Sequence, residues 1–445
     1  MPSSREAYIR YAKYYLGLIW RTSQLYELGD IALRQGLTLF DAELSHFRRA
    51  QKWVSKASGD DTEATALCSH YPDAGVYVIN LRLHPHERIR WQTAALNASR
   101  QLDNRSAEMT HLSNLGLSYF DLGDASRAAE HHKQALAIGQ ELGDPRGEGS
   151  ALCNLGMCQQ VLGNPRHAIG LYTQSLALSK KIGDKGGECT ALGNLGLAYA
   201  DLGESRRAIE CHTQGLKIAR TIGNLRMEGR ALGNLGLSHA ALGEYQFAIN
   251  YYEQQLSLAR EIKDMNGEGN ALSNLGVAYK NMGDIPHALE CYEAALSVFK
   301  SVGDIRAEGT VLGNIGVTHA VSGNIPFAIE YLEKDLSIAR EIKHRRGEGN
   351  ALGNLGVMYR HLGYIQRAID CYDQQLVVTR AINDRRGEGN AHWNVALLFN
   401  KLGNHVQANK HAELALQIYS EIESPNAALV RGALTEWSNK VRDYA

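Results

Sequence analysis

Residues 267–303 read GEGNALSNLGVAYKNMGDIPHALECYEAALSVFKSVG, and this stretch decides the fold. From Gly267 to Met282, apolar or small residues recur at helical spacing: Ala271, Leu272, Leu275, Gly276 and Tyr279. Gly283 follows as a residue suited to the left-handed conformation that ends helices. Asp284 then stands as an N-cap, with Pro286 in the next helix's first turn. The spacing predicts a second helix over Ile285–Val302 that buries Ala288, Leu289, Tyr292, Leu296, Val298, Phe299 and Val302 and stops at Gly303. Two helices joined by so short a turn form an antiparallel αα-hairpin.

The phrase returns in a 40-residue frame, marked each time by an asparagine: Asn114, Asn154, Asn194, Asn234, Asn274, Asn314, Asn354 and Asn394. A fixed period of this length predicts a solenoid, each unit stacking on the next. The position two after the asparagine is glycine from Gly116 to Gly356 and alanine at Ala396. Its counterpart on the second helix is always alanine, from Ala128 through Ala248 to Ala408. Small residues at both sites predict a close helix crossing, with tyrosines filling the space beside it.

Leu235-Gly236, Ala248 and Tyr252 land on the pattern of the tetratricopeptide repeat, which the chain resembles over about residues 105–423. The usual unit has about 34 residues. Here a further apolar residue, from Leu142 and Ile182 to Ile422, follows six after the recurrent leucine. The second helix is therefore expected to be more than a turn longer and to account for the extra length. This long variant is similar to the arrays of spindle-orientation adaptors of the LGN/Pins type, to the sensor arms of bacterial STAND NTPases, and to arrays fused to CHAT proteases. The resemblance implies an all-α fold, a right-handed superhelix of eight two-helix repeats with helical caps.

Residues 1–104 fall outside the frame but read as helical. Trp91, Ala95 and Leu96 match a second helix, and Asp61 to Leu83 would be its irregular first helix, interrupted near Pro72. The expected division is therefore 1–104 as a capping region with a degenerate repeat, 105–423 as eight units, and 424–445 as a closing helix with Trp437 on its apolar side. Aromatic residues such as Tyr8, Phe40, Phe47 and Trp53 suit a region that packs over an open repeat end. The phrase from Tyr71 to Trp91 resembles segments that precede the repeats in the bacterial sensor proteins.

The formal net charge is -1, without the basic stripe a nucleic-acid binder needs. No apolar run of about 18 residues predicts a membrane span, and the first residues lack the apolar core of a secretory signal. A cytoplasmic protein is expected. Seven cysteines mostly follow the repeat, as Cys211, Cys291 and Cys371 do, and read as small buried hydrophobes. Cys153 and Cys158 have no second ligand pair nearby for zinc. Neither a phosphate-binding G-x-x-x-x-G-K-[ST] nor an H-E-x-x-H or G-x-S-x-G phrase occurs. His132, His212, His239 and His319 stand where other units have tyrosine and read as packing substitutes. The expectation is a protein with no enzymatic activity, no cofactor and no bound metal.

On a helical wheel the asparagine shares its face with residues four before, four after and seven after. The first set includes Arg230, Asn270, Asn350 and Asn390, and the others are mostly small or mixed. In the tetratricopeptide family this face lines the concave side, where asparagines hold the backbone of an extended peptide. One amide both donates and accepts, so it can satisfy a peptide N–H and C=O together. The resemblance thus points to a protein or peptide partner gripped by Asn154, Asn194, Asn234, Asn274, Asn314, Asn354 and Asn394 together with Asn350, with Arg230 and Asn270 adding selectivity. The ladder could instead bridge neighbouring helices and fix their pitch. The runner-up function is a stand-alone sensor arm that controls an effector enzyme encoded separately. An enzyme with a site between repeats is the third class. Finally, basic residues such as Arg220, Arg260, Arg340 and Arg380 stand a fixed distance before Glu228, Glu268, Glu348 and Glu388, which predicts inter-repeat ion pairs.

Overall fold

In the computed structural model of the chain, which describes residues 4–28 and 30–443, an aspartate opens the helix of the phrase quoted above. The Asp264 carboxylate accepts a hydrogen bond from the Gly267 N–H at 3.1 Å. The helix therefore starts at Met265, a little before the glycines, because a side-chain oxygen that satisfies an orphan N–H fixes the first turn. Asp184, Asn224, Asp304 and Asp384 cap the same way. Gly267 has to be small, since a Cβ there would lie 2.8 Å from the capping carboxylate. The early start corrects one expectation. Both helices of this unit have 18 residues, and both helices of the unit before it have 17, so the second helix does not alone absorb the longer repeat.

All elements are helices, and no strand occurs among the described residues. The chain divides into two compact units, residues 1–122 with 127–155, and residues 123–126 with 156–445. The first holds α1 (Ser4–Glu27), α2 (Asp30–Ala57), α3 (Thr62–Ala74), α4 (Val76–Arg82), α5 (Pro85–Gln101) and α6 (Arg105–Asp121), and the chain continues through α7 (Ala125–Leu142) and α8 (Pro145–Val161). Pro72 lies inside α3, and the interruption expected near it falls at Gly75, between α3 and α4. Trp91, Ala95 and Leu96 are buried on α5. The Tyr71 hydroxyl donates to the Ala12 carbonyl at 2.8 Å, tying α3 to α1. Phe40 and Phe47 are fully buried, while Tyr14 and Trp20 stay exposed.

The second unit continues as α9 (Pro165–Lys181), α10 (Lys185–Asp201), α11 (Ser205–Thr221), α12 (Leu225–Ala241), α13 (Tyr245–Glu261), α14 (Met265–Met282), α15 (Ile285–Val302), α16 (Ile305–Val321), α17 (Ile325–Glu341), α18 (Arg345–His361), α19 (Ile365–Ala381), α20 (Arg385–Lys401), α21 (His405–Glu421) and α22 (Asn426–Asp443). From α6 onward, even-numbered helices are the first of each repeat and odd-numbered ones the second. Tyr172, Tyr252, Tyr292 and Tyr372 are buried where second helix meets first. The expected ion pairs form across the junctions: Arg220–Glu228 at 2.7 Å, Arg260–Glu268 at 2.8 Å, Arg340–Glu348 at 3.0 Å and Arg380–Glu388 at 2.8 Å. At the end, Trp437 of α22 is buried and stacks on Trp393 with ring centroids 5.8 Å apart.

Repeats far apart in sequence also meet within this unit. Arg386 Nη1 lies 3.1 Å from Asp201 Oδ1, and Arg166 pairs with Glu423. Gly203 faces the Pro425 ring, and Gly163 faces Ile422. The turns between early helices thus rest against the turns between late ones.

Candidate peptide groove

Within the second unit, consecutive first helices touch directly: α10 meets α12, α12 meets α14, α14 meets α16, α16 meets α18 and α18 meets α20. Consecutive second helices show no comparable approach. A stack whose inner members are closer together curves toward them, so the first helices line the concave side. The small residues of these helices allow that approach, and the bulkier second helices splay outward.

Asn194, Asn234, Asn274, Asn314, Asn354 and Asn394 occupy successive first helices of this unit. Asn194 is 9% exposed and the other five are half-buried. Among the described residues none of the six side chains makes a hydrogen bond, either between rungs or to a neighbouring helix. Ser238 and Thr318, which share their face, are turned inward: each hydroxyl donates to the backbone carbonyl of its own asparagine, Asn234 at 3.0 Å and Asn314 at 2.7 Å. Those hydroxyls therefore do not occupy the amides. In the first unit, Asn154 is half-buried without a side-chain hydrogen bond. Asn114 there donates to Asp73 at 3.3 Å, and burial pushes the Asp73 carboxyl up to about 6.

Two cavities open beside the row. One of about 220 Å³ is lined by Arg230, Gln255, Asn266 and Asn270 with Leu258 and Ile262. The other, of about 350 Å³, is almost all amide: Asn350, Asn354, Gln375, Asn390, Asn394 and Asn426, with Trp393, Tyr419 and Leu429 as its apolar walls. The two selectivity residues expected from sequence, Arg230 and Asn270, thus share the first cavity, and Asn350, expected to bind peptide, lies in the second. Asn390 there accepts a hydrogen bond from the Tyr419 hydroxyl at 2.7 Å.

Two features of this face escape a wheel centred on the asparagine. The position three residues after it is apolar in every repeat, and Leu197 and Leu237 are 36% and 45% exposed there. An apolar strip therefore runs alongside the amides. The periodicity of that position was the available signal. The second feature comes from the second helices: Gln255, Asp335 and Gln375 share one frame position and reach between first helices, where each packs on a glycine (Gly233, Gly313 and Gly353). Gln255 Oε1 and Gln375 Oε1 are buried and accept no hydrogen bond. No sequence pattern marks this position, because other repeats place serine, glycine or alanine there.

The remaining reactive side chains are held inert by burial. Desolvation pushes the Cys158 thiol up to about 12 and Cys291 and Cys371 up to about 11, far from a thiolate at neutral pH. His132 and His212 are fully buried against Gly116 and Gly196, and desolvation lowers both to about 4, so they stay neutral. His239 stacks on Tyr251 and His319 on Tyr331. No group of three or more metal-ligating side chains comes together among the described residues. No helix among them is long and apolar enough to cross a membrane.

Family models described as tetratricopeptide repeat match residues 105–181, 147–221, 228–301 and 351–386. No curated protein matches the chain. Among solved structures, a Rap protein complexed with competence and sporulation factor is similar, with a TM-score of 0.55 and 14% identity over 82% of this chain and 98% of that one. A signal-transduction ATPase with a tetratricopeptide repeat sensor from Pyrococcus horikoshii aligns with a TM-score of 0.47 at 15% identity, over 83% of this chain and 54% of that one. The apo form of the quorum sensor NprR from B. thuringiensis aligns with a TM-score of 0.48 at 16% identity, over 74% of this chain and 97% of that one.

Proposed function

Because the chain belongs to the tetratricopeptide repeat family, we propose that it is a binding scaffold whose concave face holds an extended segment of a partner protein or a free peptide. The observation that carries this reading is the row of largely half-buried amides, Asn194 to Asn394, that make no side-chain hydrogen bond among the described residues. Side-chain amides that reach solvent and are not tied up by the protein are free to exchange water for the backbone N–H and C=O of a ligand. The apolar strip at Leu197 and Leu237 complements it, offering a surface to side chains while the amides engage the backbone. The Rap protein of similar fold was solved in complex with a separate factor, and the proposal assigns this chain a role of that broad kind.

Spacing sets the length of the segment. Packed helices lie about 8–10 Å apart, and an extended residue spans about 3.3 Å, so about three residues separate neighbouring rungs. A random dodecapeptide library therefore covers about four rungs and is the right probe. Wild type used as bait should enrich peptides that bind at micromolar levels or better. Joint replacement of Asn234, Asn274 and Asn314 by alanine should weaken them roughly 10- to 1000-fold, since several bonds of about 0.5–1.5 kcal/mol are lost at 1.4 kcal/mol per decade. Enriched peptides that bind the triple variant as tightly as wild type would sink the proposal.

A further inference from the structure

One carboxylate of the second unit stands in this setting without a counter-charge. Asp335 on α17 is 9% exposed and makes no hydrogen bond or ion pair among the described residues. Its oxygens lie against α16, where a Cβ on Gly313 would come within 2.7 Å of Oδ2 and a Cβ on Gly309 within 3.2 Å of Oδ1. Side chains at those glycines would fill the space the carboxylate occupies. The same frame position faces the groove in the repeats on either side that carry a long polar residue: Gln255 lines the cavity with Arg230 and Asn270, and Gln375 lines the one with Asn350 and Asn354. Asp335 thus stands beside Gly313, the residue before Asn314, as the only acid at its position in eight repeats.

Several charged groups of the surrounding helices are engaged elsewhere. Lys334 pairs with Glu330, and Arg340 and Arg345 both pair with Glu348. Arg346 lies near Asp384 and Glu333 accepts from the Tyr359 hydroxyl, while burial raises the Glu308 carboxyl against the pull of Lys300. His319 stacks between Tyr331 and Phe327. Desolvation is the one influence on Asp335, and it pushes the carboxyl up to about 7. A carboxylate kept largely from water without a partner is costly for the protein alone. That cost is offset when a ligand brings the opposite charge, because attraction between charges strengthens as water is excluded. Two other repeats carry neutral glutamine at the equivalent position, so the charge sets this repeat apart.

Resting on the groove reading above, we propose that Asp335 is the specificity-determining group of the groove and takes one cationic moiety of the bound segment, a lysine or arginine side chain or a free amino terminus, next to the rung at Asn314.

The test uses the full chain and fluorescein-labelled dodecapeptide pools. In each pool one position is fixed as lysine, arginine, glutamine or glutamate, and each pool is made with an acetylated and with a free amino terminus. Wild type should bind at least tenfold better when one position carries lysine or arginine in place of glutamine. If the amino terminus is the source, the free-amine pools should win by a similar factor whichever residue is fixed. Asp335→Asn should reduce either preference to less than twofold. Wild type itself should lose much of the preference between pH 8 and pH 6, a measurement that needs no variant to fold. Binding without any cation preference, or a preference that survives in Asp335→Asn, overturns the assignment and leaves the groove reading intact. If no pool binds, or if the asparagine triple variant binds every pool as wild type does, the groove reading itself fails and this assignment falls with it.

Discussion

Gly276 of α14 and Tyr292 of α15 are nested so closely that a Cβ on the glycine would stand 2.6 Å from the tyrosine ring. Tyr292 is fully buried, so its ring has no free direction in which to yield. Gly276→Leu should therefore destabilise the protein by about 1–3 kcal/mol through overpacking. Gly170, on the exposed side of α9, has nothing within 4 Å of the place a methyl group would take, and Gly170→Ala should stabilise by about 0.5–1 kcal/mol through helix propensity. Opposite signs in urea midpoints would show that the crossing, and not glycine content as such, sets the effect.

Asp335 makes stability depend on pH in a definite window. Its carboxyl is raised from an ordinary 3.8 to about 7 in the folded chain. Between those values the folded protein holds a proton that the unfolded chain has released, so stability falls as pH rises, by roughly 1.4 kcal/mol per pH unit for this group. Asp335→Asn removes that titration. The variant should match wild type near pH 4, gain on it through the window, and hold a constant advantage above pH 7. Thermal midpoints that track each other from pH 4 to pH 8 would contradict the buried, unpaired state.

Replacing Asn234, Asn274 and Asn314 by alanine deletes amides that make no hydrogen bond among the described residues. The unfolding midpoint should then stay close to wild type, with each substitution contributing within about 0.5 kcal/mol. A large drop in the midpoint would mean that the asparagines are structural after all.

Trp437 should matter locally. It is buried against Trp393 and the core around Tyr419, and Trp437→Ala should cost about 3–5 kcal/mol where its interactions are lost. Repeat arrays are stabilised by neighbour contacts, so hydrogen exchange should accelerate in α20 and α21 first and leave α12 to α15 little changed.

Much of the repeat was legible because its signals are periodic. Asn114 to Asn394, the glycine–tyrosine pairs and the Arg220–Glu228 type of junction each recur at 40-residue intervals, and a repeating solenoid turns such recurrence directly into contact. Helix starts were less legible: Gly267 looks like a boundary by propensity, yet the Asp264 cap starts the helix earlier and places the glycine in its first turn. Asp335 was not legible at all. It occurs once, at a position with no consistent residue type, and its isolation follows from what the neighbouring helices do with their own charges.

The contacts between distant repeats make repeat number a fixed quantity. An inserted 40-residue unit would find a well-fitting neighbour on each side, because most junctions share a capping side chain and a small residue at the helix crossing. It would also advance the later helices by one step relative to the earlier ones, carrying Arg386 past Asp201 and Pro425 past Gly203. Local joints tolerate any count, but the meeting of early and late turns selects one. Gain or loss of whole units, the easiest change for a repetitive gene, is thus checked by a handful of side chains more than four repeats apart.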